Sequence, residues 1–327
     1  MTFPTPDAVS DKTVRRYFDV WRRRLAAAQR NHPDSSGIGL IEHVVEDLLA
    51  ERPSIAQSTF RQYKASIRYA LCWAAARRLS SDPKLLKLNA VIARLSAEAG
   101  TGCIRRSNRT SALKAKRLNE RDLAAIELDI EGRLSGSKPA QLTFAAITVL
   151  RLTGARPIEL LQLEARYPSP AEVTVVIRNA KSTNGRGNGR ERTLHLTDVS
   201  EAEIQAFRAW QEASASYVTG KESARLISSI SKVFARAARR ALGKRPKYPT
   251  LYSFRHQFAA DAKASGLSAE AVAALMGHGS DVTATRHYGR RAAGSGGLKA
   301  RPSAVNVSTV RRKAKPFRQG ATRDLSA

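Results

Sequence analysis

The chain has 327 residues and a formal charge of +28, from 56 Lys and Arg against 28 Asp and Glu, and its length exceeds what one compact domain usually holds. With 42% hydrophobic residues it can bury real cores, which excludes a wholly disordered basic polymer. Two cysteines, Cys72 and Cys103, exclude a disulfide framework, and the histidines at 32, 43, 195, 256, 278 and 287 show no zinc-type spacing, so no metal or other cofactor is expected. The apolar run around 144–150 is far short of a membrane span, and residues 1–7 carry no leader pattern, so a soluble cytosolic protein is expected. The cations are spread along the whole chain instead of one amphipathic helix, which points to nucleic acid as the polyanion they answer.

Residues 1–100 read as all-helical. Helices are predicted at Asp11–Gln29, Leu40–Leu49, Ile55–Leu79 and from Lys84 to about Glu98. In the third, Phe60, Tyr63, Ile67, Leu71 and Ala74 form an apolar stripe while Arg61, Lys64 and Arg68 fall on another face, a pattern that packs inward and offers cations outward. Residues 101–117 then hold Arg105, Arg106, Arg109, Lys114, Lys116 and Arg117 with no acid. They read as an exposed linker and a basic strap for a phosphate backbone.

A second domain, 118–290, opens at Asn119, an N-cap with Asp122 three residues on and Leu118 and Leu123 placed as a hydrophobic staple. Gln141–Thr153 is apolar enough for a buried helix. It stops at Gly154, and Arg156 with Pro157 starts another. Glu172–Asn179 and Arg190–Leu196 are β-rich and enclose Asn184, Gly185, Asn188 and Gly189, a hairpin signal. Helices follow at Val199–Ser216, Ala224–Leu242, Ser253–Ala264, Ser268–Met276 and Thr283–Tyr288. The tail, 291–327, is Gly-rich and then basic, with a short strand predicted at Ala304–Val310.

Residue types suited to phosphodiester chemistry gather late in the chain: Arg156 after a Thr153, Gly154 turn with Glu159 three residues on; Tyr252, Ser253, Arg255 and His256; Gly277 and His278; and Tyr288. Singly these are ordinary residues, a solvated arginine, a capping histidine or a packed tyrosine; their order and spacing carry the signal. They resemble the boxes of the tyrosine recombinase, or phage integrase, family, closely over about 118–290 and more loosely over 10–100. The resemblance implies a mainly α fold: an all-α core-binding domain, followed by an α+β catalytic domain with a small antiparallel hairpin or sheet. Lys181, the only lysine between the two predicted hairpin strands, matches the family's hairpin lysine.

Elementary chemistry fits those roles. A metal-free attack on a phosphodiester needs fixed cationic donors on the non-bridging oxygens, which Arg156 and Arg255 can supply bidentately and His278 can supplement. Tyr288 would be the nucleophile, leaving a 3′-phosphotyrosyl link and a free 5′ hydroxyl, as the resemblance implies, so that no ATP is needed. Lys181 would protonate the leaving oxygen. Glu159 is expected to orient an arginine, and His256 to be structural or to support the site from behind. Two departures stand out: Tyr252 occupies a slot usually held by His, and the interval from His278 to Tyr288 is one residue longer than common, a difference the loop at 279–281 can absorb.

The resemblance further implies a site-specific recombinase of a mobile element, an integrase or resolvase in the bacterial cytoplasm, clamping double-stranded DNA as a dimer per site and a tetrameric synapse with a Holliday junction. Accessory DNA-bending proteins are further candidate partners, and the tail is expected either to pack on a neighbouring protomer or to be disordered. Two alternatives stay open on the sequence: a type IB topoisomerase-like enzyme, and a non-catalytic DNA-binding regulator, since residues 267–288 also read like a helix-turn-helix.

Overall fold

A computed structural model describes residues 11–104, 115, 117–180, 187–217, 220–283, 288 and 290–312. The chain divides into two compact units, 1–112 and 113–327. In the first, four helices, α1 (Asp11–Asn31), α2 (Gly37–Ala50), α3 (Gln57–Ala75) and α4 (Pro83–Ala97), enclose a core of Val44, Leu48, Phe60, Ile67, Leu71, Leu88 and Leu95. The predicted third helix overran its observed end because nothing covers its last turn: Leu79 is 78% exposed. Asp82 accepts the Lys84 N–H at 2.8 Å and Pro83 fills the first helical position, which fixes the start of α4. Just after α4, Glu98 pairs with Arg52, and Ile104, expected to belong to the linker, is tied to this unit by its N–H, which reaches the Ile55 carbonyl at 3.0 Å.

The second unit opens as the capping pattern predicts. Asn119 Oδ1 accepts the Asp122 N–H at 2.7 Å to start α5 (Glu120–Glu131), and Leu118 and Leu123 are both buried. The nearly all-buried α6 (Lys138–Thr153) lies at the centre, packed on α7 (Glu201–Ala215), α8 (Gly220–Leu242) and α9 (Leu251–Ala264); α10 (Ala269–Leu275) follows. The predicted hairpin is the middle of a four-stranded antiparallel sheet, β1 (Leu163–Ser169), β2 (Glu172–Arg178), β3 (Glu191–Leu196) and β4 (Ala300–Pro302), in that spatial order.

Both outer strands escaped the sequence pattern for a physical reason. β1, with only Leu163 and Ala165 turned inward, has a weak alternation, and three-residue β4 has almost none. The helix expected after Arg156 is a 3-10 helix, Pro157–Gln162. The strand predicted at Ala304–Val310 is instead a short helix, Ala304–Ser308. Its start is fixed by Ser303, whose Oγ accepts the Asn306 N–H at 3.3 Å; the strand lies just before it. Residues 291–312, expected to form a separate tail, pack on this same unit through β4 and that helix. The helix predicted at Thr283–Tyr288 falls mostly outside the described residues.

Candidate active site

Three turns and a helix bring the site together. The first ends α6 at Gly154, whose φ is +59° and where a Cβ would lie 2.3 Å from the Phe258 ring, so only glycine fits. Its carbonyl accepts Arg255 Nη1 at 2.8 Å. Two residues on, Arg156 leads into the 3-10 turn and Glu159 folds back on it: Oε2 accepts the Arg156 N–H at 2.9 Å, while Oε1 accepts its guanidinium and the Ala180 N–H at 3.1 Å. Arg192, fully buried on β3, donates Nη2 to the same Oε2 at 2.9 Å and Nη1 to Asn179 Oδ1. Arg255 Nη1 lies 3.9 Å from that oxygen.

Three guanidinium groups thus surround one carboxylate in a region closed to water, where their charge is weakly screened. Burial by itself would raise the Glu159 carboxyl, but Arg192, Arg255 and Arg156 override it and hold the group at about 2. Arg192 is pushed down to about 10, chiefly by burial, and Glu159 counters this only in part.

Helix α9 and the third turn present the remaining groups. α9 carries Tyr252, Arg255 and His256 in successive positions of one helical face. α10 ends at Gly277, φ +62°, where a Cβ would lie 2.3 Å from Asn179 Oδ1; this close approach sets His278 against the arginines. Arg255 Nη2 reaches the Met276 carbonyl and, at 3.1 Å, His278 Nε2. Burial first, then Arg255, Arg156 and Arg192, push the His278 imidazole down to about 2, so the ring is neutral. Its Nδ1 is buried with no hydrogen-bond partner among the described residues. The loop expected to absorb the extra residue is pinned from the C-terminal side: the Arg311 N–H reaches the Gly279 carbonyl at 3.2 Å.

Tyr288 lies on this cluster. Its hydroxyl is 2.9 Å from the Tyr252 hydroxyl and 3.4 Å from Arg255 Nε, and its ring sits between His256 and His278 at 5.1 and 4.9 Å. Burial works against ionisation of this phenol, but Arg255, the Tyr252 hydrogen bond and Arg156 outweigh it and hold its pKa below the ordinary range. Tyr252 is displaced upward, first by burial and then by the bond to Tyr288.

The structure therefore gathers Arg156, Glu159, Tyr252, Arg255, His256, His278 and Tyr288 in one place. Lys181 lies outside the described residues, as do Arg105, Arg106, Arg109, Lys114 and Lys116. The far end of the hairpin loop does return to the site, since Gly187 bridges to His278. Of the cations expected to face DNA, Arg61 is exposed, the Lys64 ammonium donates to the Ser96 and Glu98 carbonyls at 2.8 and 2.7 Å, capping α4, and Arg68 Nε is buried. Arg117 lines a cleft with Leu123, Phe258 and Ala293 in the second unit.

Two contributors escaped the sequence reading. Arg192 occupies an inward position of β3, in alternation with Leu194 and Leu196, and a charge in that register was the available signal. Lys263, buried on α9, donates to the Tyr288 main-chain carbonyl at 3.5 Å.

The profile of the Phage integrase family matches residues 117–294, more than half the chain. The chain belongs to this family. It is a tyrosine site-specific recombinase by family and fold. Among solved structures it is similar to a lambda integrase dimer bound to a COC' core site, with a TM-score of 0.50 and 14% identity, covering 88% of this chain and 74% of that one. It is also similar to XerH site-specific recombinase bound to palindromic difH substrate in a post-cleavage complex, with a TM-score of 0.46 and 15% identity over 74% of this chain and 66% of that one. No curated protein sequence matches the chain. Among the described residues no helix is long and apolar enough to cross a membrane.

Proposed function

We propose that this recombinase cuts and rejoins duplex DNA through attack of Tyr288 Oη on a scissile phosphorus, giving a 3′-phosphotyrosyl link and a free 5′ hydroxyl. The observation that carries this is the placement of the Tyr288 hydroxyl between Arg255 Nε and the hydroxyl of Tyr252, beside His278. Tyr252 and Arg255 stabilise the phenolate as its proton passes to solvent water at the open side of the site, where Tyr252 is exposed. Arg156 and Arg255, held charged by Glu159, receive the negative charge that develops on the non-bridging oxygens. The neutral imidazole of His278 accepts the Arg255 Nη2 hydrogen bond at Nε2, which places its own proton on Nδ1, and so orients Arg255. Lys181 delivers a proton to the departing 5′ oxygen, and the covalent link conserves the bond for rejoining.

In this reading Tyr252 takes the family's histidine slot as a hydrogen-bond donor to the nucleophile and not as a base. The partner is duplex DNA at a specific site, bound as a dimer and assembled into a four-protomer synapse that passes through a Holliday junction, in the service of a mobile element. Support comes from the net charge of +28 and from the similar lambda integrase, which is a dimer on its core site. The test uses nicked duplexes built from the DNA flanking the gene. The expected product is a covalent protein–DNA band that survives denaturation, forms without magnesium and is absent from Tyr288→Phe. No band on a duplex that the protein binds tightly would leave a regulator; a band with relaxation but no exchange between duplexes would leave a topoisomerase-like enzyme.

A further inference from the structure

Arg192 is the one fully buried arginine of the cluster that the cleavage scheme above does not use. It touches two of the turns that build the site and the base of the hairpin. Nη2 satisfies Glu159 Oε2 at 2.9 Å, and Nη1 holds Asn179 Oδ1. Asn179 in turn donates to the Asn188 and Gly189 carbonyls at 3.0 and 3.2 Å, at the base of the hairpin. A Cβ on Gly277 would lie 3.0 Å from Arg192 Nη1, so the turn that presents His278 is moulded on the same guanidinium.

Arg255 lies 3.9 Å from the carboxylate oxygen that Arg192 occupies, and it donates instead to Gly154, Met276 and His278 while facing Tyr288. Without Arg192 that oxygen would keep only the Arg156 N–H, and a buried carboxylate oxygen that has lost its cationic partner would draw the nearest guanidinium onto itself. We infer that Arg192 is a positioning residue for the cleavage reaction: by occupying Glu159 Oε2 it keeps Arg255 off that carboxylate and aimed at the reacting phosphate and Tyr288. Such a group lowers no barrier itself, and its loss misaligns a group that does, a displacement that can cost about a hundredfold in rate.

This inference rests on the Tyr288 cleavage reading, and one experiment separates their failures. Single-turnover adduct formation on a nicked duplex is measured beside the dissociation constant for the same DNA and the thermal midpoint. Wild type and Tyr288→Phe test the cleavage reading; Arg192 variants in the active background test the inference. Arg192→Gln is expected to slow cleavage at least about tenfold with DNA affinity unchanged. Arg192→Lys, which keeps a cation on Oε2, stays within about threefold of wild type, and Arg192→Gln with Glu159→Gln, which removes the competing charge, recovers at least about threefold over Arg192→Gln alone. A purely structural role predicts no recovery in the double variant. Wild-type cleavage in Arg192→Gln, or a double variant no faster than the single, overturns the inference. Should Arg192→Gln not fold, Arg192→Lys and the double variant decide: either one folded, DNA-bound and inactive overturns it, and both active within about tenfold of wild type uphold it.

Discussion

Tyr252→Phe removes one hydroxyl and leaves the ring, so it isolates the 2.9 Å bond to the nucleophile. A hydrogen bond to a charged acceptor contributes about 1.5–3 kcal/mol when shielded from water. Tyr252 is 38% exposed, so water replaces part of that bond, and the lower end applies: about 1.4 kcal/mol, or about tenfold in rate. The loss falls on the phenolate, the form that attacks. Single-turnover adduct formation near neutral pH should therefore drop about tenfold. The gap to wild type should narrow as the pH rises, because alkali then supplies the phenolate that the hydrogen bond no longer stabilises. DNA affinity should not change. A deficit that is constant across pH would mean that Tyr252 acts on the phosphate and not on Tyr288, and an unaltered rate at all pH values would remove Tyr252 from the mechanism.

Tyr252→His should retain or raise cleavage if the imidazole can reach the same nucleophile, which the adduct assay reads directly; complete loss would show a site rebuilt around the phenol. Arg255→Ala should lower cleavage by at least about a hundredfold while the dissociation constant for DNA moves only a fewfold, since one buried guanidinium is a small part of the phosphate contacts. A collapse of binding would refute the assignment. Gly154→Ala puts a side chain at φ +59° and within 2.3 Å of the Phe258 ring; left-handed strain of about 1–2 kcal/mol and overpacking of about 1–3 kcal/mol together destabilise by about 2–5 kcal/mol, read from denaturant unfolding. For pH, His278 and Glu159 both have folded pKa values below their unfolded ones, so both contribute stability at neutral pH that is lost on acidification. The loss begins below the ordinary His value of 6.5 and deepens below the ordinary Glu value of 4.5, as each approaches about 2. The thermal midpoint should fall across that window, and Glu159→Gln should flatten its lower part; a midpoint constant from pH 7 to about 4 would contradict the buried network.

How much of this was legible in the sequence depended on whether a feature is local. The N-cap at Asn119, the left-handed stop at Gly154 and the amphipathic stripe of α3 are written in neighbouring residues and appear in the structure as read. The order of Arg156, Arg255, His278 and Tyr288 was legible because it is read along the chain, and Arg156 and His278 each follow a glycine-marked turn. β1 and β4 were not, because their strand character comes from pairing with β2 and β3 and not from alternation of their own. The carbonyl contacts of Lys64 were not legible either, because a cation on the outer face of a helix looks alike whether it meets DNA or the carbonyl end of a helix distant in sequence.

Arg192 shows the limit most clearly, because a charge at an inward strand position is nonsense by the sheet's own pattern and makes sense only against Glu159, 33 residues away. Burying three guanidinium groups around one carboxylate is costly in desolvation, and apolar side chains of the same volume would pack there more cheaply. The arrangement is understandable if the fold must keep cationic donors charged and aimed before a phosphate arrives. Without Glu159 the arginines would repel one another; with it they keep a surplus of positive charge that only an incoming anion can neutralise. The same surplus favours the phenolate of Tyr288, so the groups that would receive the phosphate also prepare the atom that attacks it.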